Sequence, residues 1–186
     1  MSSHDTHTAS DDSTYIRLLR EQVGHELDAH TQYIAIAVWF DSHDLPQLAG
    51  HFYRQSLEER NHAMMIVQFM LDRDIDVQIP AGSAVQNDFA SALEPLSLAL
   101  SQEQEVTEQI QAIFRAARDE GDALGEQFML WFLKEQVEEV AAATTLVTVA
   151  ERAGDNLFDL ENFVARETIG DGGESADAPE AAGGAL

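Results

Sequence analysis

Glu58-Glu-Arg-Asn-His-Ala63 sets a carboxylate and an imidazole three residues apart, at Glu59 and His62, inside a stretch that otherwise reads as an amphipathic helix. The positions around them, Leu48, Phe52, Gln55, Ile66 and Phe69, continue the same alternating spacing of four and three, the stripe that a helix turns toward a core. Residues three apart are neighbours on a helix surface, so Glu59 and His62 face inward together. An unpaired buried carboxylate is strongly disfavoured, so something must compensate it.

Three other stretches repeat the pattern. The first predicted helix, from about Thr14 to Phe40, carries Leu19, Val23, Glu26, His30, Tyr33, Ala37 and Phe40 on its stripe. The third, from about Ala92 to Glu120, carries Leu96, Leu100, Glu103, Thr107, Ile110, Phe114 and Ala117. The fourth, from about Asp122 to Ala153, carries Met129, Phe132, Gln136, Glu139, Ala143, Leu146 and Ala150. The second runs from Pro46, suited to a first helical turn, to about Asp74.

The segment from Asp76 to Ser91 has no helical period and reads as an extended connection. Its length allows it to cross the bundle and make the second and third helices parallel, whereas the short links make antiparallel neighbours of helices one and two and of three and four. Gly121-Asp122 ends the third helix and caps the fourth, Gly154 ends the fourth, and Asp155 is the expected cap of a short fifth helix reaching about Glu167. The fold class is all-α: a four-helix bundle over 14–153 with a long crossover between helices two and three, then a short fifth helix over 154–167. Segments 1–13 and 168–186, polar and Gly/Ala/acid-rich respectively, are expected to be disordered.

The inward polar residues are level. Glu26 lies about 15 residues before the first turn and Glu59 about 13 after it, or about 22 and 20 Å at the helical rise. Glu103 and Gln136 match to within a turn about the second link, and 33 residues separate both Glu26 from Glu59 and Glu103 from Gln136. Four carboxylates, Glu26, Glu59, Glu103 and Glu139, would then share one interior. Two divalent cations offset that charge, and carboxylates with one imidazole suit iron or manganese, with zinc tolerated.

Composition narrows the class. The 186 residues fit one domain, and 45% of them are hydrophobic. With no cysteine there is no disulfide, thiolate zinc site or iron–sulfur cluster. Thirty-four acidic residues against ten basic ones, a formal charge of −24, argue against nucleic acid and are compatible with attracting cations; a solubility adaptation would give the same excess. No apolar run approaches the roughly 18 residues of a membrane span, and no apolar signal region opens the chain, so a cytoplasmic protein is expected.

Beyond Glu58–Ala63, the stretches Gln32-Tyr-Ile-Ala-Ile-Ala37, Gly125-Glu-Gln-Phe-Met129 and Trp131-Phe-Leu-Lys-Glu-Gln-Val-Glu-Glu139 resemble the ferritins, in particular the non-haem bacterial type of actinobacteria, over about residues 15 to 167. The resemblance implies a ferritin-like bundle with two irons per subunit. Glu26 and His62 would hold the first, Glu59 would bridge, and Glu103 would hold the second with Gln136 nearby. Glu139, with Glu58 and Glu135, resembles a third iron site; Glu58 and Glu135 equally suit an ordinary solvated helix face. Tyr33 matches the family's site tyrosine and Trp131 a family tryptophan, although either residue alone reads as core packing. Bacterioferritins carry a second Glu-x-x-His where this chain has Gln136-Val-Glu-Glu139, and a haem-ligating methionine where it has Arg60. No haem is therefore expected, and Met64, Met65 and Met70 read as core or interface side chains. His30 suits a partner of Glu26, an added ligand or a packed histidine.

What the resemblance implies is iron storage with ferroxidase activity. Fe(II) would be oxidised by O2 or H2O2 and stored as mineral in a homo-oligomeric, 24-subunit cage, with Leu157, Phe158, Leu160 and Phe163 of the fifth helix seeking a partner surface. Asp122 and Glu126 are candidates for a cation channel. A rubrerythrin-like enzyme would share the ligands but needs rubredoxin cysteines; a DNA-protecting mini-ferritin lacks the fifth helix and this four-helix ligand pattern.

Overall fold

The computed structural model describes residues 13–167, 169 and 177–186. Apart from Ser13, the segment 1–13 expected to be disordered lies outside the described residues. Among these residues the chain forms five helices and no strand: α1 (Thr14–Ser42), α2 (Pro46–Leu71), α3 (Leu93–Asp119), α4 (Ala123–Ala153) and α5 (Leu157–Arg166).

Local chemistry sets the ends. The Ser13 hydroxyl accepts from the Ile16 amide, and Glu120 accepts from both Ser13 Oγ and the Tyr15 amide, tying the start of α1 to the end of α3. Pro46 opens α2 without a side-chain cap of its own. Its place is taken by Glu161 of α5, whose carboxylate accepts from the Gln47 and Leu48 amides at 2.8 and 2.9 Å. A negative charge at a helix N-terminus is favourable, and here it also docks α5 on the bundle. Gly121 takes a positive φ of 74°, and Asp122 caps α4 through the Gly125 amide. The expected cap of α5 was Asp155; it is Asn156, whose side-chain oxygen accepts from the Asp159 amide while its amide nitrogen holds the Asp159 carboxylate.

The crossover runs lengthwise along α1. Arg20 donates to the Asp76 carbonyl, Asp28 accepts from the amide and hydroxyl of Ser83, and Gln32 and Gln86 bond one another in both directions at 2.8 Å. Positions 20, 28 and 32 meet positions 76, 83 and 86 in the same order, so the connection travels from one end of the bundle to the other. It thereby delivers α3 parallel to α2.

The core forms two apolar clusters. One holds Leu19, Val23, Ile66, Met70, Ile110 and Met129; the other holds Ile36, Phe40, Leu48, Phe52, Leu96 and Leu146. On every helix of the bundle the polar inward residue lies between its contributions to the two. Leu160 and Val164 bring α5 into the second cluster, and Phe158 remains 76% exposed. On α3 the buried face is rotated from the expected stripe: Ala99, Val106 and Ile113 are buried, and Leu100, Thr107 and Phe114 only partly, because α3 packs against α1 as well as α4.

Of the segment 168–186 expected to be disordered, 168 and 170–176 lie outside the described residues, and the last ten residues lie hydrogen-bonded against α2. The Ala182 amide donates to the Met64 carbonyl, Arg60 donates to the Gly184 carbonyl, and Asn61 both donates to and accepts from the Leu186 main chain. Ala178, Ala181 and Ala182 pack against the first cluster. The small side chains that made the segment look unstructured let its backbone lie against α2.

Gly125 supplies a test of packing. A Cβ there would lie 2.5 Å from the hydroxyl oxygen of the fully buried Tyr15. Gly125→Ala is expected to lower stability by about 1–3 kcal/mol in chemical denaturation, as overpacked cores do. Gly50→Ala, whose Cβ would meet only Arg54 Nη1 at 3.5 Å, is expected to be neutral or mildly stabilising.

Candidate metal centre

Between the two apolar clusters lies a layer of buried polar groups: Glu26 on α1, Glu59 and His62 on α2, Glu103 on α3, and Glu135, Gln136 and Glu139 on α4. Glu26 is 1% exposed and Glu59 2%. Ligand atoms of Glu26, Glu59 and His62 lie within 4.8 Å of one another. His62 Nδ1 stands 3.5 Å from Glu59 Oε2 and 4.0 Å from Glu26 Oε2.

The carboxylates are only partly satisfied. Gln22, one turn before Glu26, donates to Glu26 Oε1 at 2.8 Å. Glu26 Oε2 and Glu59 Oε1 are buried and receive no hydrogen bond from a donor. The two carboxyls lie within hydrogen-bonding reach of each other. A proton held between them or a cation would satisfy these oxygens, and among the described residues no Arg or Lys enters the layer.

Protonation follows from burial. Desolvation, then the charge of Glu59, holds Glu26 well above the usual carboxylate range. Desolvation and the charge of Glu103 do the same to Glu59. Burial pushes Glu103 up to about 7, against the lowering effect of the Tyr33 hydroxyl, which donates to Glu103 Oε1. Tyr33 is itself held protonated by burial and by the charge of Glu103.

Gln136 sits beside Glu103, and its Oε1 accepts from Thr107 Oγ1 at 2.8 Å, which orients the amide. Glu139 and Glu103 line, with Tyr33, His51, Phe52 and Gln55, a cavity of about 10 Å³, room for one water. Gln55 donates to Glu58.

The sequence-derived set thus meets in one layer, with Glu26, Glu59 and His62 forming its tightest group. His30 stands apart: its Nδ1 lies 2.5 Å from the Ser56 carbonyl, a bond between α1 and α2. Trp131 packs edge-on against the His62 ring at 5.6 Å, and its buried indole nitrogen has no partner. Asp122 and Glu126 are engaged by Arg73 and Arg118. The sequence reading missed the roles of Gln22 and Thr107. Gln22 stands at the i−4 position of Glu26, a spacing that reveals such a partner once Glu26 is known to be buried.

Fold and core together define a class: four-helix bundles whose interior is a layer of carboxylates and one imidazole. A Ferritin-like domain model matches residues 16–153. The chain is 59% identical over 181 residues to Ferritin BfrB of Mycolicibacterium smegmatis, covering 97% of this chain and 99% of that one. It is 37% identical over 141 residues to the bacterial non-heme ferritin of Staphylococcus aureus, covering 76% and 85%. Its fold superposes on an open pore ferritin from Archaeoglobus fulgidus with a TM-score of 0.80 at 25% identity, over 86% of this chain and all of the other. The chain belongs to the ferritin family.

A carboxyl with a higher pKa folded than unfolded holds its proton more tightly in the fold. Its stabilising contribution is complete below its ordinary value of 4.5 and is lost as the pH rises through about 7. The metal-free protein should therefore melt at a higher temperature at about pH 5.5 than at about pH 8, and Glu103→Gln should flatten that difference by raising the melting point on the alkaline side. A pH profile identical in the wild type and Glu103→Gln would contradict the burial argument.

Proposed function

We propose that the chain is an iron-storage protein with ferroxidase activity, in which Fe(II) is both substrate and cargo. The observation that carries this reading is the pair of buried, donorless carboxylate oxygens on Glu26 and Glu59 beside His62. The site supplies oxygen-rich ligands with one imidazole, the donor set that suits iron.

In this reading Glu26 and His62 hold one Fe(II), Glu103 and Gln136 hold a second, and Glu59 spans the two. Glu139, with Glu58 and Glu135, offers a third position. Gln22 orients Glu26, while Tyr33 fixes Glu103 by donating to it. Binding displaces the protons that burial keeps on these carboxyls. Each Fe(II) gives one electron, so a pair reduces O2 with two protons to H2O2, or H2O2 with two protons to two waters. Ferric product then passes into the cavity of a 24-subunit homo-oligomeric shell. The exposed Phe158 and the fifth helix would find their partner surface there, and the acidic excess would favour mineral nucleation. The protein acts in the cytoplasm, without haem, nucleic acid or membrane as partner.

Replacing both Glu59 and His62 by Ala should abolish the rapid phase of Fe(II) oxidation in stopped-flow absorbance while leaving the sedimentation coefficient of the assembly unchanged. Loading the wild type aerobically with Fe(II) far beyond two per chain should yield a shell-sized particle that sediments as a denser one. A small oligomer that stops at two irons per chain would replace storage with an oxygen- or peroxide-using enzyme.

A further inference from the structure

We propose that the seam between α1 and α3, beside the crossover, is a second cation site, which takes a divalent metal ion with its water shell still in place. The site stands whether or not the polar layer oxidises iron, because none of its groups belongs to that layer.

The geometry supplies the space. A cavity of about 280 Å³ lies there, walled by α1 and α3 and bordered by Ser83, Ala84 and Val85 of the crossover. Asp28 fixes that border by accepting from the Ser83 amide at 2.8 Å and from its hydroxyl at 2.6 Å. An octahedral ion with six waters, at about 30 Å³ for each water, needs about 180 Å³. The cavity exceeds that.

The lining supplies the sign. Asp28 and Glu105 bring carboxylates, His25 brings an imidazole, and none of the lining residues is Arg or Lys. Acidic residues alone would be an ordinary solvated surface. What distinguishes this one is a pair of amide oxygens, Gln102 Oε1 and Gln109 Oε1, both buried and both without a donor. Their residues are seven apart, two turns of α3, and so share a face with Glu105 between them in sequence. The Gln109 amide nitrogen donates to Glu105 Oε1 at 3.4 Å, which directs its oxygen away from that carboxylate. A buried acceptor left without a donor is costly. A hydrated metal ion satisfies neutral and charged acceptors together, because each of its waters donates and the ion offsets the charge.

Distance requires the water shell. Among the described residues, the only group of three or more His, Asp or Glu ligand atoms gathered within 4.8 Å of one another is that of Glu26, Glu59 and His62. The groups of the seam are too far apart to close on a bare ion, and waters span the difference. The seam also adjoins the layer. Ala29 and Val106, both buried and both in the lining, are three residues beyond Glu26 and Glu103. A hydrated ion held here stands about one helical turn from carboxylates able to replace its waters.

Mn(II) is the probe, with the full chain in its assembled form. Gln102→Leu combined with Gln109→Leu removes the two oxygens at nearly constant size and leaves the net charge unchanged, so ions gathered by acidity elsewhere remain in both proteins. Counting free Mn(II) by electron paramagnetic resonance should show one site per chain weakened at least about tenfold in this variant, as the loss of one or two hydrogen bonds dictates. Crystals soaked in Mn(II) should show anomalous density in the seam of the wild type and none there in the variant. Glu105→Gln should weaken the same site, and it carries the test if the leucine pair does not fold. The metal-free leucine pair should melt no lower than the wild type, since donorless acceptors contribute nothing to the fold. No seam density in the wild type would overturn the proposal, as would equal density in wild type and variant. Seam density with solution titrations that superimpose would mean an adventitious ion only, and would overturn it too. Mn(II) in the seam but not at Glu26, Glu59 and His62 would support this site while counting against the metal-binding reading of the layer.

Discussion

The constraint on which this structure turns is uncompensated negative charge in a helical interior. Glu26, Glu59 and Glu103 lie where a bundle normally places leucine, and each is held above its ordinary pKa chiefly by loss of water. Hydrophobic clusters on both sides oblige the carboxyls to stay inside. The bundle therefore tolerates them only with protons or with cations, and cations restore the oxygens that no donor reaches. Gln22, Tyr33 and Thr107 offer hydrogen bonds that fix Glu26, Glu103 and Gln136, but among the described residues no side chain of the layer brings in a permanent positive charge.

Much of this was legible in the sequence because the signals were redundant. A stripe at helical spacing, interrupted at matching heights by Glu26, Glu59 with His62, Glu103 and Gln136, identifies both the bundle and the level of its polar layer. The crossover followed from its length, and its direction is fixed by Asp28 and Gln32 gripping Ser83 and Gln86. What escaped reading was decided by tertiary neighbours. The α3 face turned because α1 competes with α4 for it, a contact that no single-helix pattern contains. The α5 cap moved by one residue because Asn156 satisfies two groups of Asp159 where Asp155 was expected to start the helix. The C-terminal segment looked unstructured by composition, yet low side-chain bulk is what allows main chain to pair with α2.

Carboxylates outside the layer act as clasps. Glu120 at the end of α3 holds the start of α1, and Glu161 within α5 holds the start of α2, so acidic residues that enlarge the net charge also close the fold. Placing an anion on the exposed amides of a helix start converts part of the chain's acidity into tertiary structure. The remaining acidic residues account for its surface character.

A polar layer running across the middle also partitions the hydrophobic interior into two nuclei. Each nucleus draws on all four long helices, so neither is a separate domain, but the plane between them contributes little apolar burial of its own. Such a core can loosen at one end while the other stays packed, and the metal-free chain should then show a calorimetric enthalpy larger than its van't Hoff enthalpy. Equality of the two would mean that the helices alone carry cooperativity across the plane. A cation held by side chains of several helices would join the two nuclei, and occupancy of the layer would then govern how cooperatively the whole bundle unfolds.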